Sequence, residues 1–130
     1  MKAKPTIYWI VTVLFCTSMV WAAYACLTRE PKTVAFMASL GYPDYFLNIL
    51  GTAKLLGVLA LLLPGCPRLK EWAYAGFTFV VLGAAWSHLA SGQAGQSVAP
   101  TVFLVLLAIS YCLRPSTRRL LIVDVDAVEV

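Results

Sequence analysis

Apolar positions along this chain gather into four long runs, at about 6–27, 45–63, 72–90 and 98–113. A helix needs roughly 17–25 residues to cross a hydrocarbon layer. The first three runs meet that length and the fourth is at its short end. None has the polar stripe of a helix lying on a surface. The stretch from Leu55 to Leu63 is apolar all round. Lipid supplies no hydrogen bonds to the backbone, so such runs form helices rather than open strands. The pattern predicts an all-α fold, an antiparallel four-helix transmembrane bundle. Pro31, Pro43, Pro64, Pro67, Pro100 and Pro115 stand at or near the expected span ends. Pro43 and Asp44 suit the start of the second helix, and Pro64-Gly65 stops it.

Composition agrees and narrows the class. Of 130 residues, 61% are hydrophobic and 12% charged, against about 45–50% and about 25% in soluble domains. That balance excludes a disordered chain, a coiled coil and an ordinary nucleic-acid-binding domain. It also argues against a soluble enzyme, because so small a body would lack polar surface.

Orientation follows from the basic residues. Lys2, Lys4, Arg68, Lys70, Arg114, Arg118 and Arg119 fall on one side, and only Arg29 and Lys32 on the other. The positive-inside rule then makes both termini cytoplasmic, in a multi-pass protein of the plasma (bacterial inner) membrane. Trp9, Trp21, Trp72 and Trp86, with Tyr8, Tyr24, Tyr45, Tyr74 and Tyr111, lie toward span ends, as interfacial aromatic belts require. Ala23-Tyr24-Ala25 before Cys26 resembles a signal-peptide cleavage site. The first run is longer than a signal's apolar region, however, and three more spans follow, so it is expected to be retained as a span.

Residues 1–119 thus form a membrane domain and 120–130 an acidic and apolar tail. In the long loop between the first two spans, Val34, Met37 and Leu40 recur at helical spacing before Gly41 and Pro43. This predicts a short interfacial helix, a cap or a lid over the bundle.

Lys54 carries the most information. At mid-span an ammonium costs about 2.5–3.5 kcal/mol. Eleven strongly apolar residues in the same span, at about −0.3 to −0.6 kcal/mol each, offset it with little to spare. Lys54 should therefore face the bundle interior. Gly51 and Gly57, three residues to either side, allow close helix approach. No acid lies within any predicted span, and Thr17, Ser18 and Thr78 are the candidate partners. Two functional roles are open to Lys54, holding an anionic or carbonyl-bearing ligand or accepting a proton as a neutral amine. The bland alternative is a lysine bonded to helix carbonyls.

His88, the only histidine, lies near the outer end of the third span beside Ser87. Tyr42, Asp44, Tyr45 and Asn48 open the second span on the same side, which predicts a polar outer mouth. One histidine promises neither a metal site nor bis-histidine haem ligation. Lys54 lies roughly 12–15 Å below the outer edge and His88 within about one turn of it, so no direct contact is expected. Cys16, Cys26, Cys66 and Cys112 contain no C-x-x-C and are expected to be packing residues. Gly76, Gly83, Ser87 and Ala90 suggest a packing seam on the third span.

The stretch from Leu40 to Gly92 resembles the DoxX-like family of small four-span membrane proteins. The residues that carry it are Leu40-Gly41-Tyr42-Pro43 with Tyr45, then Gly51 and Lys54-Leu55-Leu56-Gly57, and Leu63-Pro64. Pro67-Arg68-Leu69-Lys70-Glu71-Trp72-Ala73-Tyr74-Ala75-Gly76-Phe77 follows, then Gly83-Ala84 and Ser87-His88 with Gly92. The resemblance implies an all-helical integral membrane protein of the DoxX/DoxD type. That type is named for a membrane subunit associated with thiosulfate:quinone oxidoreduction, and related families are linked to redox partners, membrane-protein assembly and cargo handling. The family's recurring polar positions match Lys54 and His88.

The expected function is an accessory or ligand-binding bundle with an outward-opening polar pocket. Its site residues would be Lys54, His88, Tyr42, Asp44, Asn48 and Ser87, and its ligand a quinone or another amphipathic molecule. The alternatives are a membrane subunit of a quinone-linked oxidoreductase, which would need a soluble redox partner, and a membrane-protein assembly factor. The expected partners are the lipid bilayer, a hydrophobic small molecule, and a second protein or further copies of the chain.

Overall fold

A computed structural model describes residues 3–120, and the alternating segment 121–130 lies outside them. The described residues form α1 (Ala3–Leu27), α2 (Pro31–Ser39), α3 (Tyr45–Leu62), α4 (Pro67–Ala90) and α5 (Val98–Cys112). Single 3-10 turns at Ala94–Ser97 and Ser116–Arg118 flank α5, and there is no strand among the described residues. Four stretches are long and apolar enough to cross a membrane: Ala3–Leu27, Tyr45–Leu62, Pro67–Ala90 and Ala94–Cys112. α4 starts at Pro67, earlier than the apolar run at 72–90 suggests. Pro67 fits the first helical turn, where no backbone donor is needed. Lys70 and Glu71 then continue the helix because both have partners inside the fold.

α1 packs against α3 and α5, and α4 packs against the same two helices. The core between them is Phe15, Cys16, Met19, Val58, Leu61, Tyr74, Phe77 and Leu107. Phe15 meets Phe77 edge to face, with ring centroids 5.0 Å apart. Outward faces carry large apolar side chains, with Trp72 76% and Trp86 77% exposed, as expected of helices surrounded by lipid tails. A smaller cluster of Cys26, Met37 and Leu47 holds α2 down, with Val34 and Leu40 packed against it. These are the positions whose spacing suggested a helix in the loop.

Tyr8 and Tyr74 do not belong to an aromatic belt. Both are buried, because their hydroxyls have polar company inside. Tyr74 Oη lies 2.8 Å from Ser110 Oγ, and Ser110 Oγ lies 2.6 Å from Thr12 Oγ1. Three helices are thereby joined by one buried chain of hydroxyls, with Tyr8 beside Tyr74.

The end of the molecule that holds Leu62, Pro67 and Cys112 is built around cations. Lys70, 1% exposed, donates from Nζ to the carbonyls of Ala60, at 2.8 Å, and Leu63. Arg118 Nη1 donates to Leu61 O at 2.9 Å and its guanidinium covers the Trp9 ring at 4.5 Å. Arg119 Nε donates to Arg114 O at 2.7 Å. Arg114 pairs with Glu71 at 2.5 Å and lies 3.8 Å from the Tyr111 ring centroid. Tyr111 Oη also donates to Glu71, at 3.0 Å. The last carbonyls of α3 and α5 lack helical partners, and these side chains satisfy them while complementing the helix dipoles.

The opposite end is closed by the backbone itself. α1, α2 and α4 each finish in a Schellman arrangement. Glu30 N donates to Ala25 O and Arg29 N to Cys26 O; Tyr42 N donates to Met37 O and Gly41 N to Ala38 O; Gln93 N donates to His88 O and Gly92 N to Leu89 O. The left-handed residue of each is Arg29 (φ 54°), Gly41 (φ 87°) and Gly92 (φ 74°). Glycine adopts that conformation freely, whereas a residue with a Cβ incurs about 1–2 kcal/mol.

Two expectations follow for thermal unfolding of the purified protein in detergent. Gly92→Ala should lower stability by about 1 kcal/mol, and Arg29→Gly should raise it by a similar amount, because the conformational penalty is added in one case and removed in the other. Lys70→Met should destabilise by about 1–3 kcal/mol, the cost of leaving buried acceptors without a donor. An unfolding midpoint unchanged by Lys70→Met would show that the α3 carbonyls find other partners.

Candidate functional site

α3 brings Lys54 to mid-helix between two close approaches. At Gly51, an added Cβ would lie 2.7 Å from Leu27 Cγ and 3.2 Å from the Ala23 carbonyl oxygen of α1. At Gly57 it would lie 2.6 Å from the Phe77 ring of α4. Between these points the helices part, and Lys54 is half-buried there. It lines three cavities. One, of about 390 Å³, lies beneath α2 and is bounded by Phe36, Met37, Leu40, Tyr42, Phe46, Leu50, Phe79, Val80, Gly83, Ala84, Ser87 and His88. A second, of about 640 Å³, lies against α1, α4 and α5 and includes Thr17 and Ser18. A third, of about 310 Å³, follows α3 and α4 toward the other end, past Gly57, Gly76 and Trp72.

The cavity beneath α2 therefore gathers four residues whose types suggested chemistry: Lys54, Tyr42, Ser87 and His88. Tyr42 Oη and Ser87 Oγ are 2.6 Å apart, tying the start of α3 to the end of α4. Tyr42 also stacks on Phe46, with centroids 4.7 Å apart. His88 is 5% exposed, its ring lies 5.0 Å from that of Phe36 on α2, and its Nδ1 is buried without a hydrogen-bond partner. Such an atom is uncommon in a native interior and invites a ligand or water. Lys54 and His88 share the cavity wall, and no hydrogen bond joins them. Asp44 and Asn48 are exposed and do not line the cavity. Arg29 Nη1 reaches the backbone carbonyl of Asp44 at 3.4 Å.

Of the three residues expected to partner Lys54, Thr17 shares the second cavity with it without a hydrogen bond, and the other two are engaged elsewhere. Ser18 Oγ donates to Leu14 O at 2.9 Å and Thr78 Oγ1 donates to Tyr74 O at 2.7 Å. Both bond one turn back on their own helix, the shortest route for a hydroxyl in a helix. Cys26 is the ionisable group close enough to act on Lys54 electrostatically. Among the described residues, no acid lines any of the three cavities.

The small-residue stripe of α4 is not a packing seam at its glycines. A Cβ at Gly76 or Gly83 would meet nothing within 4 Å, and these positions open onto cavities instead. The contact face of α4 is Lys70, Tyr74, Phe77, Val81 and His88. That set repeats at helical spacing, but its polar members hide it from a search for apolar stripes.

The model of the DoxX-like family matches residues 10–110, more than half of the sequence. The chain belongs to the DoxX-like family. With its four long apolar helices, this DoxX-like protein is a multi-pass membrane protein set in a lipid bilayer. No curated protein and no solved structure matches the chain.

Gly57 and Gly76 offer a direct check of the geometry around Lys54. Gly57→Ala should destabilise this DoxX-like protein by about 1–3 kcal/mol through overpacking against Phe77. Gly76→Ala should leave stability unchanged or slightly raised, since its Cβ enters open space and alanine favours the helix. Equal midpoints for the two variants in detergent unfolding would contradict the close approach below Lys54.

Proposed function

We propose that this DoxX-like protein is an antiparallel four-helix bundle of the plasma membrane that binds a small amphipathic molecule, a quinone or another amphiphile, in the cavity beneath α2. Both termini would face the cytoplasm and the α2 end would face outward, in keeping with the distribution of lysine and arginine. The observation that carries the reading is the convergence of Lys54, His88, Tyr42 and Ser87 on one apolar cavity of about 390 Å³. Ligand sites of about 300–1,000 Å³ combine apolar walls with a few convergent polar groups in this way.

Two features support binding over a purely structural role. The Lys54 amine has no hydrogen bond among the described residues, whereas Lys70, the buried structural lysine, donates to two carbonyls. His88 Nδ1 is likewise unpartnered. Asp44 and Asn48 would act at the rim, on the path from the outer surface, rather than in the cavity. α2 is nine residues long and would form the roof that a ligand from the outer side must pass.

The test is purification in mild detergent, identification of co-purified small molecules by mass spectrometry, and thermal unfolding with those molecules added back. A ligand held at about 100 times its Kd should stabilise the protein by about 2.7 kcal/mol. Lys54→Met should abolish that shift and still insert in the membrane, since removing a mid-span cation only favours insertion. If Lys54→Met keeps the full ligand-dependent shift, Lys54 is structural and the reading fails.

A further inference from the structure

We infer that the cavity beneath α2 takes the carboxylate of a single-chain fatty acid, with the acyl chain lying in the apolar groove between α3 and α4. This inference rests on the amphiphile-binding reading above and narrows it to one class of ligand. Charge balance argues for the head group. Among the described residues the acids are Glu30, Asp44 and Glu71. Glu30 accepts from Thr33 at 3.0 Å on the loop helix, Asp44 is exposed, and Glu71 is paired with Arg114 at the far end. None borders a cavity that Lys54 lines. An ammonium at mid-depth among apolar walls gains most from a counter-charge, and none of the described carboxylates supplies one.

One negative charge matches one lysine, which suits a carboxylate better than a phosphate dianion. A carboxylate also brings two acceptor oxygens. Lys54 offers donors to one of them. Whichever of Tyr42 and Ser87 donates in their shared bond, the other keeps a hydroxyl hydrogen for the second oxygen. His88 Nδ1, buried and unpartnered in the same wall, is a further group that can engage the head. A quinone, being neutral, would leave the Lys54 charge unmatched.

The tail follows from how the cavities join. The cavity beneath α2 and the α3–α4 groove share Lys54 and Val80. From Val80 to Leu69 the groove runs eleven residues along α4, roughly 16 Å at 1.5 Å per residue. Apart from Lys54 it is lined by apolar side chains and by glycines. Gly76 keeps its floor open, since a Cβ there would meet nothing within 4 Å. The larger cavity against α1 and α5 carries the hydroxyl residues Thr17 and Ser18 and lies level with Lys54 and above it, so it does not lead a chain toward the other end.

The experiment uses the full chain in nanodiscs and measures the binding of hexadecanoate, hexadecanol, decanoate and a short-tailed ubiquinone by displacement of a fluorescent fatty acid and by thermal shift. Hexadecanoate should bind at least about tenfold more tightly than hexadecanol, a factor that one charge-assisted hydrogen bond supplies. Lys54→Met should reduce that preference to about twofold or less. Gly76→Leu should weaken hexadecanoate about tenfold, weaken decanoate as well because position 76 lies only about 6 Å from Val80 along α4, and leave unfolding of the unliganded protein unchanged. Ala53→Leu, on the α3 side of the groove, gives the same readout should Gly76→Leu fold poorly. Equal binding of acid and alcohol overturns the head-group assignment, and insensitivity to both groove variants overturns the tail path. Ubiquinone binding that hexadecanoate does not displace overturns this inference and leaves the broader reading standing. If none of the four compounds binds, both fall.

Discussion

Lys54 stands where it does because α3 comes very close to its neighbours just above and just below it. Gly51 admits Leu27 and the Ala23 carbonyl of α1, and Gly57 admits the Phe77 ring of α4. Both glycines lie three residues from Lys54, so they share its side of the helix. Close contact on either side holds the lysine away from lipid, and the space between the contacts is where three cavities open. Polar side chains within membrane segments survive only in such sheltered places. Without the two glycines α3 would stand farther out, and Lys54 would face hydrocarbon.

The same chain carries a second buried lysine with a different fate. Lys70 is fully buried, yet its amine closes the C-terminal end of α3 through the carbonyls of Ala60 and Leu63. Arg118, Arg119 and Arg114 do comparable work nearby, and Glu71 neutralises the last of these. Cations there are matched by carbonyls, by an aromatic face or by a carboxylate. Among the described residues Lys54 has none of these, although it lies deeper along its own helix. The contrast separates a lysine that stabilises the fold from one left available to something else.

The spans were legible because length and uniform apolarity are strong constraints in lipid, and the loop helix because Val34, Met37 and Leu40 kept its period. Lys54, His88, Tyr42 and Ser87 stood out as polar residues in or beside apolar runs. One pocket for these and for Asp44 and Asn48 was the expectation; that the cavity is lined by the first four and not by the last two was not legible, since depth counting along separate helices says nothing about which faces meet. The start of α4 was hidden for a related reason. Lys70 and Glu71 look like a loop until their partners, carbonyls and an arginine on other segments, are seen. Tyr8 and Tyr74 passed for belt residues because a tyrosine near a span end fits that role. Only the matching hydroxyls of Thr12 and Ser110, far away in sequence, mark them as interior. Gly76 and Gly83 misled in the opposite sense, since a small residue allows close packing and equally allows a void.

The two ends of the molecule close their helices by different means, and that difference decides which polar side chains are left free. Where α3 and α5 finish, long cationic side chains reach over to take the terminal carbonyls, so Lys70, Arg114, Arg118 and Arg119 are already engaged. Where α1, α2 and α4 finish, the following backbone amides fold back through Arg29, Gly41 and Gly92 and take the carbonyls themselves. In the last of these turns the acceptor is the carbonyl of His88, at 2.8 Å from Gln93 N. The main chain of His88 is thus bound into the turn while its ring stays uncommitted beside Phe36 and above Lys54. Backbone capping makes no demand on side chains, and this is why buried polar groups such as the His88 ring can stay uncommitted at the α2 end.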